Sequence, residues 1–458
     1  MTQLRSTGTI GYSIGMGNIS MRNQRGCVSE TYPLKFCTVP FAMLALFSFG
    51  CESQFQIVTA QRSGTTLQTA LTTAAANSSL PAVSPTPKSS PTPNPSPTAT
   101  PRWFNAGQES IPTGLRDTIR PAVVWTGDQA IVWGSYAVWP TANTFCDHRV
   151  GGRYDPATDR WLPVSKLNAP GLAWSQSAVW TGSEMIVWGS SDPDPACPGE
   201  NLATGTATGG RYNPSTDTWR PMSSVGAPMP YTVEYQTYVV WTGRKMLVWS
   251  EGGDDYNYRS FVGLYSYDPI TDEWTTASKV GQPGARGGVS MAWTGSDVIV
   301  WGGTPQLSLT GLRTGALYNP DTDTWRPMST QGLPPGLVGG ATVPFAWSSQ
   351  FGLTVLKCGL GGAIYSPSAD SWTTIPNPSA SPCTRALTSP WTSMGLVMFQ
   401  NSGSSVYQPD SKTWVTLEGS VPLPVTSRAL WLQDRLLEIG GGANLTYRPK
   451  NPGDYAVP

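Results

Sequence analysis

Apolar residues recur along this chain in short runs separated by turn residues, with no sustained helical spacing. VVWTGDQAIVWGS (123–135), AVWTGSEMIVWGS (178–190), VVWTGRKMLVWSEGG (239–253) and MAWTGSDVIVWGG (291–303) each place two apolar runs around a short Gly-containing turn, which predicts a hairpin. FAWSSQFGLTVLKCG, SPWTSMGLVMFQN and ALWLQDRLLEIGGG are degenerate copies. A second string follows downstream: GGRYDPATDRWLPVS (151–165), GGRYNPSTDTWRPMS (209–223), GALYNPDTDTWRPMS (315–329), then the weaker GGAIYSPSADSWTTIP and SSVYQPDSKTWVTLE. Its Pro presets φ for a turn and its Asn, Ser and Asp side chains can bond nearby backbone, so it predicts a second hairpin.

Tyr-x-Pro begins at Tyr154, Tyr212, Tyr267, Tyr318, Tyr365, Tyr407 and Tyr447; the first six have a Trp seven residues on, at Trp161, Trp219, Trp274, Trp325, Trp372 and Trp414. Two hairpins per repeat make a four-stranded antiparallel sheet of roughly 40–60 residues, the size of a propeller blade. A hydrophobic strand, a Gly pair, then Tyr and a later Trp, as in IVWGG…GALYNPDTDTW (299–325), resembles the kelch repeat. The resemblance extends over 103–449 and implies an all-β, seven-bladed propeller. The seventh Tyr lacks its Trp, and RWFNAGQESIPTG after the linker is similar to TWRPMSTQGLPPG. Residues 102–106 are therefore expected to supply the outer strand of the last blade, with Trp103 in the Trp325 position, removing an exposed sheet edge.

Composition agrees with all-β structure, since the 458 residues include 49 Gly, 42 Pro and 20 Trp. Eighteen of the Trp recur in register: seven on inner strands (Trp125, Trp180, Trp241, Trp293, Trp347, Trp391, Trp431), seven on outer strands counting Trp103, and Trp133, Trp188, Trp249 and Trp301 on second strands. Their expected role is packing between blades. Twenty-nine basic and 29 acidic residues leave no imbalance pointing to nucleic acid or an acidic membrane surface.

The first hundred residues read differently. Arg22, Arg25 and Lys35 precede an apolar run at 36–50, too short for a membrane span of about 20 residues and suited to a signal-peptide core within a leader at 1–50. Met21 then becomes a possible true start. Gly50-Cys51 resembles a bacterial lipoprotein cleavage site, which implies lipidation at Cys51, although Ser48 and Phe49 depart from that pattern. Residues 51–101 are expected to be a disordered linker ending in a Pro/Ser/Thr-rich stalk, and 450–458 a C-terminal tail. Anchor, stalk and domain describe an exported protein at the bacterial cell envelope or surface.

Function should lie in what the repeat does not explain. Blades one to three carry long second-to-third connections, SYAVWPTANTFCDHRV, SSDPDPACPGENLATGTAT and EGGDDYNYRSFV, read as loops sharing a face with the crossovers between blades. They and the crossovers hold Tyr136, Trp139, Asp147, His148, Trp174, Tyr231, Tyr235, Asp254, Asp255, Tyr256 and Tyr258. Aromatic area with carboxylate acceptors suits a sugar or peptide platform, whereas small satellite cores under the loops are the structural alternative. Cys146–Cys197 and Cys358–Cys383 are the disulfides expected of an exported chain with this topology.

His148 is the only histidine, so the two-His copper site of the galactose oxidases, a kelch-type class, cannot form. No cofactor or metal is expected, and the acidic DPDPACPGE reads as a solvated loop. The sequence therefore favours non-enzymatic recognition of a glycan or protein by a monomeric propeller. Two alternatives stay open: a carbohydrate-active hydrolase or epimerase using two carboxylates, and a structural part of an envelope complex.

Overall fold

The computed structural model describes Ile19–Ser20, Thr31–Tyr32 and most of 102–448; inside that span 142–143, 172–175, 192–206, 229–236, 253–260, 306–307, 309, 341–342, 358, 379–388, 401–402 and 418–426 lie outside the described residues. The chain divides into two compact units, Met1–Pro91 and Thr92–Pro458. In the first, Ile19–Ser20 pairs with Thr31–Tyr32. The leader core, Cys51 and the Pro-rich stalk lie outside the described residues, within which no helix is long and apolar enough to cross a membrane.

The second unit is an all-β, seven-bladed propeller of mostly four-stranded antiparallel blades. Blade one runs Ala122–Trp125, Ala130–Thr141, Thr144–Asp155 and Arg160–Pro163 from the inner strand outward. Blades two to six repeat the order with inner strands Ser177–Trp180, Tyr238–Trp241, Gly287–Trp293, Phe345–Ser348 and Trp391–Thr392. Blade seven contains Arg428–Trp431, Leu436–Gly440 and Ala443–Arg448. Its Leu430, Leu432, Leu437 and Ile439 share one core with Val123, Val132 and Trp125 of blade one, so the last blade abuts the first.

The inner hairpin turns on Thr-Gly. In blade one the Thr126 hydroxyl accepts the amide N–H of Asp128 and Gln129, and Gly127 supplies a φ of 108°. Thr181, Thr242 and Thr294 repeat the device.

The second-strand tryptophans lie between blades. Trp133, Trp188, Trp249 and Trp301 are among the most buried side chains, and each meets the outer-strand Trp of the next blade: Trp133–Trp219 at 4.8 Å, Trp188–Trp274 at 4.4 Å, Trp249–Trp325 at 6.3 Å and Trp301–Trp372 at 5.1 Å between ring centroids. The Gly pair exists because these rings cover it. A Cβ on Gly151 would stand 2.5 Å from Trp133, and one on Gly209 2.6 Å from Trp188.

The outer hairpin is a grip on the preceding blade. Tyr212 and Trp219 face each other across the strands, and the Tyr212 hydroxyl donates to Asp217 Oδ1 at 2.6 Å. The same oxygen accepts the amide N–H of Ser165 in blade one at 3.0 Å, and Trp219 Nε1 donates to the Ser165 carbonyl at 2.8 Å. Tyr267–Asp272, Tyr318–Asp323 and Tyr365–Asp370 do the same to Ser223, Ser278 and Ser329. Each Asp sits at positive φ, the left-handed conformation that Asp tolerates better than most residues. Burial and, next, the carboxylate bond push these Tyr hydroxyls well above their ordinary range.

Blade six breaks the pattern twice at one place. Lys412 stands where the others have Asp, and its intended partner in blade five is Pro376, which has no amide proton to donate. Only the Trp bond survives, from Trp414 Nε1 to the Pro376 carbonyl at 2.8 Å.

Candidate functional site

The face bearing the second-to-third connections is uneven. In blade one this connection is not a loop. The strands Ala130–Thr141 and Thr144–Asp155 are 12 residues each, against seven for Met185–Ser191 in blade two and six for Gly352–Lys357 in blade five. The hairpin thus projects several residues past the ring. Tyr136, Trp139, Asp147 and His148 are strand residues, correcting the loop expectation. The β-formers Tyr, Val, Trp, Thr and Phe carry the pairing outward, and Pro140 sits in an irregularity of register between Val138 and Thr141.

Tyr136 pairs with His148, and their rings approach to 5.5 Å. Tyr136 also covers the backbone of Gly114, where a Cβ would come within 2.2 Å of the ring, and it packs with Ile111 against the core between blades seven and one. Tyr136 therefore has the satellite-core role. Asp147 pairs with Ala137 and Cys146 with Val138 in the same hairpin, and Trp139 lies beyond them. Trp174, Tyr231, Tyr235, Asp254, Asp255, Tyr256 and Tyr258 lie outside the described residues, as do Cys197, Cys358 and Cys383. The structure thus brings Tyr136 and His148 together.

Several carboxylates of the ring are already engaged. Glu184 in blade two takes Arg211 at 2.6 Å and Arg220 at 2.5 Å. Burial alone would raise its pKa, but the bonds from Arg220 and Arg211 outweigh that and hold it below the ordinary Glu value. Arg211 reaches on to the Pro269 carbonyl of blade three at 2.6 Å, as Arg153 of blade one does to Pro214 of blade two. No group of three or more His, Cys, Asp or Glu among the described residues is placed to hold a metal ion.

Two features escaped the reading of motifs because neither repeats. Glu438, on the second strand of blade seven, is fully buried and accepts a bond from Ser427 Oγ at 2.7 Å. Burial pushes its carboxyl up to about 7, and the Ser427 bond only partly offsets this. The other feature is a pair of arginines, Arg120 and Arg428, at the start of the inner strands of blades one and seven. The only signal in the sequence was a charge at this position, since the inner strands of blades two to six open on the uncharged Ser177, Tyr238, Gly287, Phe345 and Trp391.

No protein-family model matches this chain, and no curated protein matches it.

Proposed function

We propose that this protein is an exported recognition propeller of the kelch type. It binds a glycan, or failing that a protein, through the face carrying the long connections of blades one to three. The projecting hairpin of blade one, Ala130–Asp155, is the observation that carries this reading. The hairpin's backbone pairing continues past the ring in a fixed register, and Trp139 and Asp147 belong to its strands. Rigid support lowers the ordering cost of binding.

The remaining expectations accompany this reading. Ring closure by 102–106 is supported by the antiparallel register Trp103↔Tyr447 and Asn105↔Leu445, and by Asn444 Nδ2 donating to the Ala106 carbonyl at 2.6 Å. Blade one grips this segment as other blades grip their predecessor, with Trp161 Nε1 on the Ala106 carbonyl and Asp159 on the Gly107 amide, both at 2.9 Å. The kelch assignment rests on the Gly pair, Tyr and Trp and their shared geometry. Export, lipidation of Cys51 and the two disulfides rest on the sequence pattern.

The test is a glycan array probed with the full chain beside Trp139→Ala and Trp174→Ala. Binding by the wild type that both variants weaken supports the reading. Binding unaffected by either moves the site off this face, and no signal on any glycan points to a protein partner. A hydrolase reading would need a sugar cleaved during the same incubation.

A further inference from the structure

Each inner strand starts where the chain arrives from the crossover, so its first residue stands at the mouth of the central tunnel on the connection-bearing face. The Thr118 carbonyl takes the Gly441 amide from the second-to-third turn of blade seven at 2.7 Å, which fixes Arg120, two residues on, to that same face. Arg428 opens the inner strand of blade seven and Tyr238 that of blade three. Arg428 feels the charge of Arg120 and the hydroxyl of Tyr238, although blades seven and three are not neighbours in the ring. Only the lumen brings those positions within electrostatic range.

Arg428 lies deep in the protein yet keeps part of its surface open, and it shares its sheet face with Ile439, which packs between blades seven and one. Neither Arg120 nor Arg428 has a hydrogen-bonding or ion-pair partner among the described residues, and the buried Nε of Arg120 is left without an acceptor. Arg120 moreover holds a φ of 49°, an uncommon conformation for a residue with a side chain. Glu438 does not neutralise them. It pairs across the strands with Ala429, so it belongs to the opposite sheet face from Arg428, and its Oε1 accepts the Ser427 hydroxyl. Two like charges close together, with no partner among the described residues, are expensive, and planar guanidinium forks match oxyanions in geometry. Burial first, and the Arg120 charge second, push Arg428 down to about 10, in keeping with a cation that has no counter-charge among the described residues.

We propose that Arg120 and Arg428 form an oxyanion-binding site at the mouth of the central tunnel, which takes a carboxylate or phosphate group of a ligand. The site is independent of the glycan reading, since it uses none of the hairpin residues.

Isothermal titration of the full chain with inorganic phosphate, galacturonate and galactose tests it. Saturable binding of phosphate or galacturonate without binding of galactose is expected. Galacturonate alone assigns a carboxylate source, phosphate alone a phosphate source, and both a general oxyanion site. Arg428→Met and Arg120→Ala should each weaken binding roughly tenfold or more, with Arg428→Lys intermediate because a point charge lacks the fork. Thermal midpoints without ligand keep the test meaningful if a variant binds nothing. Removing an uncompensated charge should leave the midpoint of Arg428→Met equal to or above that of the wild type. No binding of either anion by the wild type, binding unchanged in both variants, or a strongly destabilised Arg428→Met would overturn the proposal.

Discussion

Removing one outer-turn carboxylate isolates the energy of the grip between blades. Asp217→Ala deletes two hydrogen bonds to a charged acceptor, from the Tyr212 hydroxyl at 2.6 Å and the Ser165 amide at 3.0 Å. Bonds to charged groups contribute about 1.5–3 kcal/mol each, and the low end applies because Asp217 is half-exposed, so the pair amounts to roughly 3 kcal/mol. Tyr212 is fully buried, so its orphaned hydroxyl cannot turn to water. Alanine at a φ of 52° adds about 1 kcal/mol of backbone cost, giving roughly 4 kcal/mol in all. Asp217→Asn keeps an acceptor and tolerance of that φ, and should cost about 1 kcal/mol. Asp217→Gly relieves the backbone but not the bonds, and should fall between them. Urea unfolding of the full chain, followed by Trp fluorescence with m-values compared across the set, measures these differences. An Ala variant within about 0.5 kcal/mol of the wild type, or an Asn variant as damaging as Ala, would refute the grip as a source of stability.

Three further outcomes follow from the same geometry. Lys412→Asp alone should gain little, because Pro376 offers no amide proton, whereas Lys412→Asp with Pro376→Ser should gain about 1 kcal/mol more than the two single changes combined; additive unfolding energies would contradict the coupling. Glu438 has a folded-state pKa of about 7 against 4.5 when free, so the folded state binds the extra proton and stability falls as pH rises from 4.5 to 7. The loss is roughly 3 kcal/mol at about 1.4 kcal/mol per pH unit, and Glu438→Gln should flatten it and be the more stable form at pH 8; thermal midpoints across pH 4.5–8 that run parallel for the two proteins would rule this out. Gly151→Ala, which puts a methyl 2.5 Å from the buried Trp133 ring, should cost about 1–3 kcal/mol by calorimetry, and a neutral change would mean that the Gly pair is not needed for that approach.

The ring was legible because a blade is a copied object, and copying turns packing into spacing. The Tyr–Trp interval reports two residues facing each other across a hairpin, and the second-strand Trp of the first four repeats reports the next blade's outer strand. The Asp five residues after each of the first five Tyr was equally visible, but its role was not, because turn chemistry explains such an Asp without any neighbour. The hairpin of blade one was misread since Pro140, Asn143 and Asp147 are loop formers taken singly, while pairing is a property of two segments at once. Arg120, Arg428 and Glu438 were silent for the opposite reason. Each occurs once, and what distinguishes it is its depth and the residues around it, neither of which a linear pattern carries.

The grip on the preceding blade has a consequence for how such a protein can change. Asp and Trp take hold of main-chain groups, an N–H and a C=O that almost any residue offers. This pair of bonds therefore places little sequence demand on the blade before it, unlike the Trp–Trp contacts beside it, which need the second-strand Trp. The grip itself survives most substitutions at the position it holds in the preceding blade. Proline is the one residue that withdraws the N–H. At Pro376 a carboxylate in the following blade would find no amide proton, and that blade has Lys412 in its place.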